Sequence, residues 1–105
     1  MEKTSGSDMK VERATDEKAL ILAKLLASMV CGVVDHPKLV SVSVERTSHK
    51  VVLILETAPK DAGMVIGGRG RTISAMRDVL FAAARSRGVM VDIDYVNDES
   101  CRQQL

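Results

Sequence analysis

Aromatic residues are nearly missing from this chain: Phe81 and Tyr95 are the only two, and tryptophan is absent from its 105 residues. Proteins that read single strands by stacking bases on a sheet or barrel need several exposed rings, so that mode is excluded. Cysteine is scarce as well. Cys31 and Cys101 are too few for a disulfide scaffold and lack the spacing of a zinc site, which fits free thiols in a reducing cytosol. Two prolines and seven glycines exclude collagen-like and linker compositions. Nor is there a long apolar run: Ala19 to Val34 is strongly apolar, but Lys24 and Ser28 interrupt it, and it falls short of the roughly 18 residues a spanning helix needs. The opening MEKTSGSDMKVERATDEK mixes both charge signs and has no secretory pattern. The expectation is a soluble, cytoplasmic domain with no membrane partner.

What remains is ordinary globular composition. With 46% apolar and 28% charged residues and a net charge of +1, the chain is expected to form a single domain with one modest core. Residues 1–13 carry no period and read as a flexible tail, residues 14–96 as the domain and residues 97–105 as a second tail. Thr15 is placed to cap a first helix, with Asp16 and Glu17 against its positive end. Leu22, Leu25, Leu26 and Met29 share one face, and Gly32 ends it. Ile21, Val30 and Cys31 spread apolar surface beyond that stripe. A helix this apolar either meets a partner, as in a dimer, or covers a sheet.

After Asp35-His36-Pro37, Val40, Val42 and Val44 alternate with Ser41 and Ser43, the period of a half-buried strand. Arg46 to His49 reads as a turn. Val51 to Leu55 is continuously apolar and β-branched, as in a central strand with neighbours on both sides. Pro59 suits the first position of a short helix reaching Ile66, which Gly67-Gly68-Arg69-Gly70 breaks. A longer helix follows at once, with Ile73, Met76, Leu80 and Ala84 on one face, Val79 and Ala83 beside them, and Gly88 as its stop. Val89, Val91, Ile93 and Tyr95 alternate in a last strand. A hairpin followed by a right-handed helical crossover predicts an α+β fold: a three-stranded mixed sheet, strand 50–57 central, with three helices on one face.

The glycine run is the chemical feature. Three glycines in four residues permit positive φ and close approach of a ligand backbone. The helix starting directly after them turns its free N–H groups and positive end toward whatever covers the loop. Charge agrees with an anionic guest. Residues 58–88 hold Lys60, Arg69, Arg71, Arg77, Arg85 and Arg87 against Asp61 and Asp78, a net +4, whereas residues 1–57 balance and residues 89–105 carry −3. A near-neutral chain thus conceals a basic segment. The dinucleotide fingerprint fails because the loop follows a helix rather than a strand. The nucleotide P-loop fails because Arg69-Gly70 stands where Lys and Ser or Thr are required.

What is left is helix, G-x-x-G, helix. Ile66-Gly67-Gly68-Arg69-Gly70 followed by Ile73 resembles the K-homology (KH) RNA-binding domain. The element order resembles its type II, prokaryotic form, and Thr57 to Gly67 is similar to the small bacterial single-domain KhpA-like family. The resemblance covers about residues 16–96. It implies a loop that clamps about four single-stranded nucleotides by their backbone, with Gly67, Gly68, Arg69 and Gly70 at the phosphates and Arg71 and Lys60 flanking them. Ile66 and Ile73 would line the groove floor, and Arg85 and Arg87 would border it from the loop before the last strand. Relatives usually carry Lys or Arg where this chain has Gly68. The resemblance also implies self-association as a homodimer, or a heterodimer with a longer KH-containing protein, in RNA regulation linked to cell elongation and division.

Other candidates are weaker. His36 and His49 lie in predicted turns without paired acids and read as solvated residues rather than bases or ligands. Asp92 and Asp94 read as the open face of a strand. Six methionines read as gap fillers and tail residues. No catalytic constellation, metal site or cofactor is expected. The leading function is therefore a non-catalytic single-stranded RNA-binding module, and the alternative is a protein-interaction adaptor that keeps the shape with little RNA affinity.

Overall fold

A computed structural model describes residues 10, 11, 17–47 and 49–96. The cap at Thr15, the turn residue Ser48, Cys101, residues 97–105 and most of the N-terminal stretch lie outside the described residues. The chain folds as β1 (Lys10–Val11), α1 (Glu17–Cys31), β2 (Ser41–Arg46), β3 (Lys50–Glu56), α2 (Ala62–Ile66), α3 (Arg71–Ser86) and β4 (Met90–Val96). Short 3₁₀ turns at Pro37–Leu39, Pro59–Asp61 and Gly68–Gly70 complete it. The strands form one mixed sheet in the order β1-β2-β3-β4. β2 and β3 are antiparallel, and β3 and β4 parallel. These are the three expected strands, with β3 between two partners. The addition is β1, two residues paired parallel to β2.

Register explains which face is apolar. Val42 opposes Leu55, Leu53 opposes Ile93, and Leu55 opposes Tyr95, and all of these side chains are buried. Alternation puts Ser41, Ser43, Val52, Ile54, Asp92 and Asp94 on the other face, where each is half-buried or exposed. The Asp92 carboxylate lies 3.7 Å from Lys50 Nζ and accepts the Ile93 amide at 2.9 Å, so Asp92 and Asp94 belong to this open face as expected.

The helices cover the apolar face. From α1, Ala19, Leu22, Ala23, Leu26, Ala27 and Val30 join the core, with Leu25 and Met29 packed at its margin. Most of that helix's apolar surface is thus spent on the sheet, and Ile21, 40% exposed, is the large residue left outside. From α3, Met76, Leu80 and Ala84 are buried. Val79, expected beside them, is exposed, as is Phe81. No helix among the described residues is long and apolar enough to cross a membrane.

One reading is corrected. His36, expected as a solvated turn residue without a paired acid, holds the buried Asp61: its Nδ1 lies 3.1 Å from Asp61 Oδ1 and its amide donates to Oδ2 at 3.0 Å. Sequence inspection missed the pair because the partners are 25 residues apart. Burial disfavours the Asp61 charge. The His36 side-chain bond, the amide bonds from His36 and Asp35 and the attraction of the imidazole outweigh it, so the carboxyl sits below its ordinary value of 3.8. A depressed folded-state value contributes stability that is present above pH 3.8 and lost as pH falls through the folded value. Asp61→Asn should therefore lower the melting temperature at neutral pH, and its gap to the wild type should close on acidification below pH 3.8. Thermal unfolding by circular dichroism across that range measures it, and a gap independent of pH would contradict the account.

Candidate nucleic-acid interface

The loop is built from both sides. Pro59–Asp61, tied to His36, leads into α2, whose Val65 is buried and whose Ile66 packs against the core. Gly67 then turns the chain with φ +78° and ψ +167°, a region essentially reserved for glycine. A Cβ there would stand 2.7 Å from the Thr72 amide nitrogen. Gly67 is therefore required twice, by its backbone angle and by the approach of α3. The Gly67 amide donates to Gly63 O at 2.9 Å and the Gly70 amide to Gly67 O at 3.0 Å, which closes the turn.

The three glycines are not equivalent. Gly70 is left-handed (φ +74°), whereas Gly68 is not, and nothing lies within 4 Å of a Cβ built on it. The remaining left-handed position is Arg69, with φ 59° and ψ 28°, the one non-glycine residue with positive φ among the described residues. That conformation costs about 1–2 kcal/mol for a residue with a Cβ. It holds an exposed guanidinium at the crown of the loop. Gly70 caps α3 without a side-chain acceptor, so the positive helix end has no side-chain anion of its own at that position.

Arg69, Gly70 and Arg71 line an open depression of about 420 Å³ with Ser74, Ala75 and Asp78. Ser74 and Asp78 were not foreseen; they are visible in the sequence only as the outer face of α3, one and two turns on from the loop. Ile66 and Ile73 are half-buried on either side of the loop and pack against the core. Lys60 is exposed on the turn before α2. Arg85 belongs to the last turn of α3 rather than to the following loop, and it lines a separate apolar pocket. Arg87 lies beyond the helix, but its Nη1 donates to Ala83 O at 3.0 Å and to Ser86 Oγ at 3.2 Å. Its guanidinium thus closes the C-terminal end of α3. No cluster of three or more potential metal-ligating side chains occurs among the described residues.

Residues 23–94 match the family described as KhpA/KhpB, KH domain. The chain belongs to that family. Within the KH domain, α2, the glycine loop and α3 form a helix, G-x-x-G, helix unit, and α1 and β2 precede its β3. The RNA-binding protein KhpA of Leifsonia xyli is 41% identical over 73 residues, covering 70% of this chain and 96% of the relative. That of Halalkalibacterium halodurans is 37% identical over 73 residues, with the same coverage. The Bacillus subtilis protein of that name is 42% identical over 62 residues, 59% of this chain and 76% of its own. The aligned KH region therefore spans most of these relatives, and the remainder of this chain lies outside the matched residues.

Proposed function

We propose that this KH protein binds single-stranded RNA without catalysis and grips its phosphates with the loop Gly67–Gly70. The observation that carries the reading is the loop itself: Gly67 closes it against Thr72, Arg69 is held left-handed at its crown, and α3 begins directly beneath without a side-chain cap. Relatives named as RNA-binding proteins support the ligand class. Arg69 and Arg71 meet the phosphates, Lys60 flanks them, and Ile66 and Ile73 hold the groove floor. Arg85 extends the basic surface along α3, and Arg87 acts by stabilising the helix end.

One such groove makes few contacts, and its affinity depends on salt. Pairing with a second copy, or with another KH protein, would raise the effective concentration at a shared RNA, in keeping with a cytoplasmic role in post-transcriptional regulation. Gly68 supplies a test by gain of function. Space is open around it, so Gly68→Lys adds a cation without strain and should tighten RNA binding about threefold to tenfold at low salt, an effect reduced as salt rises. Fluorescence anisotropy with a randomised RNA pool measures it. An unchanged affinity would remove phosphate contact from this position and favour the protein-adaptor reading.

A further inference from the structure

The clamp accounts for the N-terminal end of α3 but not for its C-terminal half. There Phe81, one of only two aromatic residues, is 43% exposed although it lies on a helix with a well-filled core face. It lines an open, mainly apolar pocket of about 280 Å³ with Ala84, Arg85, Val89, Met90 and Val91. The pocket lies between α3 and the start of β4, the outer strand of the described sheet. Met90, at its rim, is 60% exposed. The pocket's volume is below the roughly 300–1,000 Å³ of sites for drug-sized ligands, which leaves room for one flat ring system.

The charges around it decide the occupant. Ile73, Arg77, Phe81 and Arg85 recur every four residues and form one inclined ridge of α3. The ridge starts in the first turn of α3 with Ile73, which packs against the core and lies about 100° round the helix from Ser74 of the depression. It ends about 18 Å further on. On this ridge the ring stands between two guanidinium groups, in the second half of the helix whose first turn borders the depression, with Asp78 the one carboxylate on the way. A strand of negative phosphates and flat apolar bases fits this alternation, whereas an apolar peptide would leave the cations without a counterpart.

We infer that Phe81 and its pocket take a nucleobase of the same RNA strand beyond the nucleotides held at the glycine loop. The base stacks on the Phe81 ring, and Arg77 and Arg85 face the neighbouring phosphates. This rests on the RNA reading above and deepens it: the site becomes longer than the loop alone, with one aromatic contact at its far end. The scarcity of rings excludes a stacking platform but not a single stacked base.

The test is anisotropy with a labelled tetranucleotide and a labelled decanucleotide, using wild type, Phe81→Ala, Phe81→Trp and the acidic-loop variant Gly68→Asp/Arg69→Asp, each checked for folding by circular dichroism. The wild type should bind the decanucleotide more tightly than the tetranucleotide. Phe81→Ala should weaken only the decanucleotide, by about tenfold, as expected for one stacked base, and Phe81→Trp should keep that affinity. If Phe81→Ala binds both RNAs like the wild type while the acidic loop binds neither, the pocket inference is overturned and the clamp stands. If Phe81→Ala weakens both RNAs equally, Phe81 acts through the fold and the inference is again overturned. If the wild type binds neither RNA, the clamp falls and the pocket inference falls with it.

Discussion

Gly67→Ala should destabilise the protein by about 3 kcal/mol or more. The φ of +78° with ψ of +167° costs a residue with a Cβ about 1–3 kcal/mol. The added carbon would also stand 2.7 Å from the backbone nitrogen of Thr72 and closer still to its Oγ1. Thr72 belongs to the first turn of α3, so relief of the clash moves the helix start on which the proposed clamp rests. Small domains have only about 5–15 kcal/mol in hand, which makes the loss a substantial fraction of the total. Gly68→Ala is the control. Its Cβ meets nothing within 4 Å and its φ is not positive, so it should leave stability within about 0.5 kcal/mol, as at an ordinary surface site. Urea unfolding of the two variants measures the contrast, and equal destabilisation would contradict the loop geometry.

Gly68→Asp/Arg69→Asp should reduce RNA affinity at least about tenfold while the protein stays folded. Both side chains project from an open loop, and the left-handed position at residue 69 is one that aspartate adopts more readily than most residues. The substitution removes one cation and adds two anions where phosphate is expected. Like charges brought together at an interface cost several kcal/mol, and the positive end of α3 would be neutralised by the protein's own carboxylates instead of by RNA. A binding surface made of apolar helix contacts, as in the adaptor reading, would be indifferent to this change.

Regular elements were legible because burial repeats. Val40, Val42 and Val44 marked β2, the unbroken Val51–Leu55 marked the strand with two neighbours, and Ile73, Met76, Leu80 and Ala84 marked the α3 face. A two-residue pairing such as Lys10–Val11 with β2 has no period and leaves no such trace. The loop was legible as a place but not in its division of labour. Three glycines look alike in a sequence, yet one is held by Thr72, one is left-handed and one is ordinary, while Arg69 takes a conformation glycine would have supplied at lower cost. Arg85 was placed in the loop although it is the residue before the last of α3, because helix ends are uncertain by one or two residues in a periodic pattern. The His36–Asp61 pair was invisible for a different reason: it exists only after α1 and α2 are both docked on the sheet, and no local rule joins residues 36 and 61.

The most direct measurement is the salt dependence of RNA affinity for the wild type and for Gly68→Asp/Arg69→Asp. A phosphate clamp predicts that the logarithm of the wild-type association constant falls linearly with the logarithm of salt concentration. For a single strand the slope is about −0.7 for each phosphate neutralised, and the acidic loop should show weaker binding with a shallower slope. Wild-type binding that ignores salt, or an acidic loop that binds with the wild-type affinity and slope, would contradict the account.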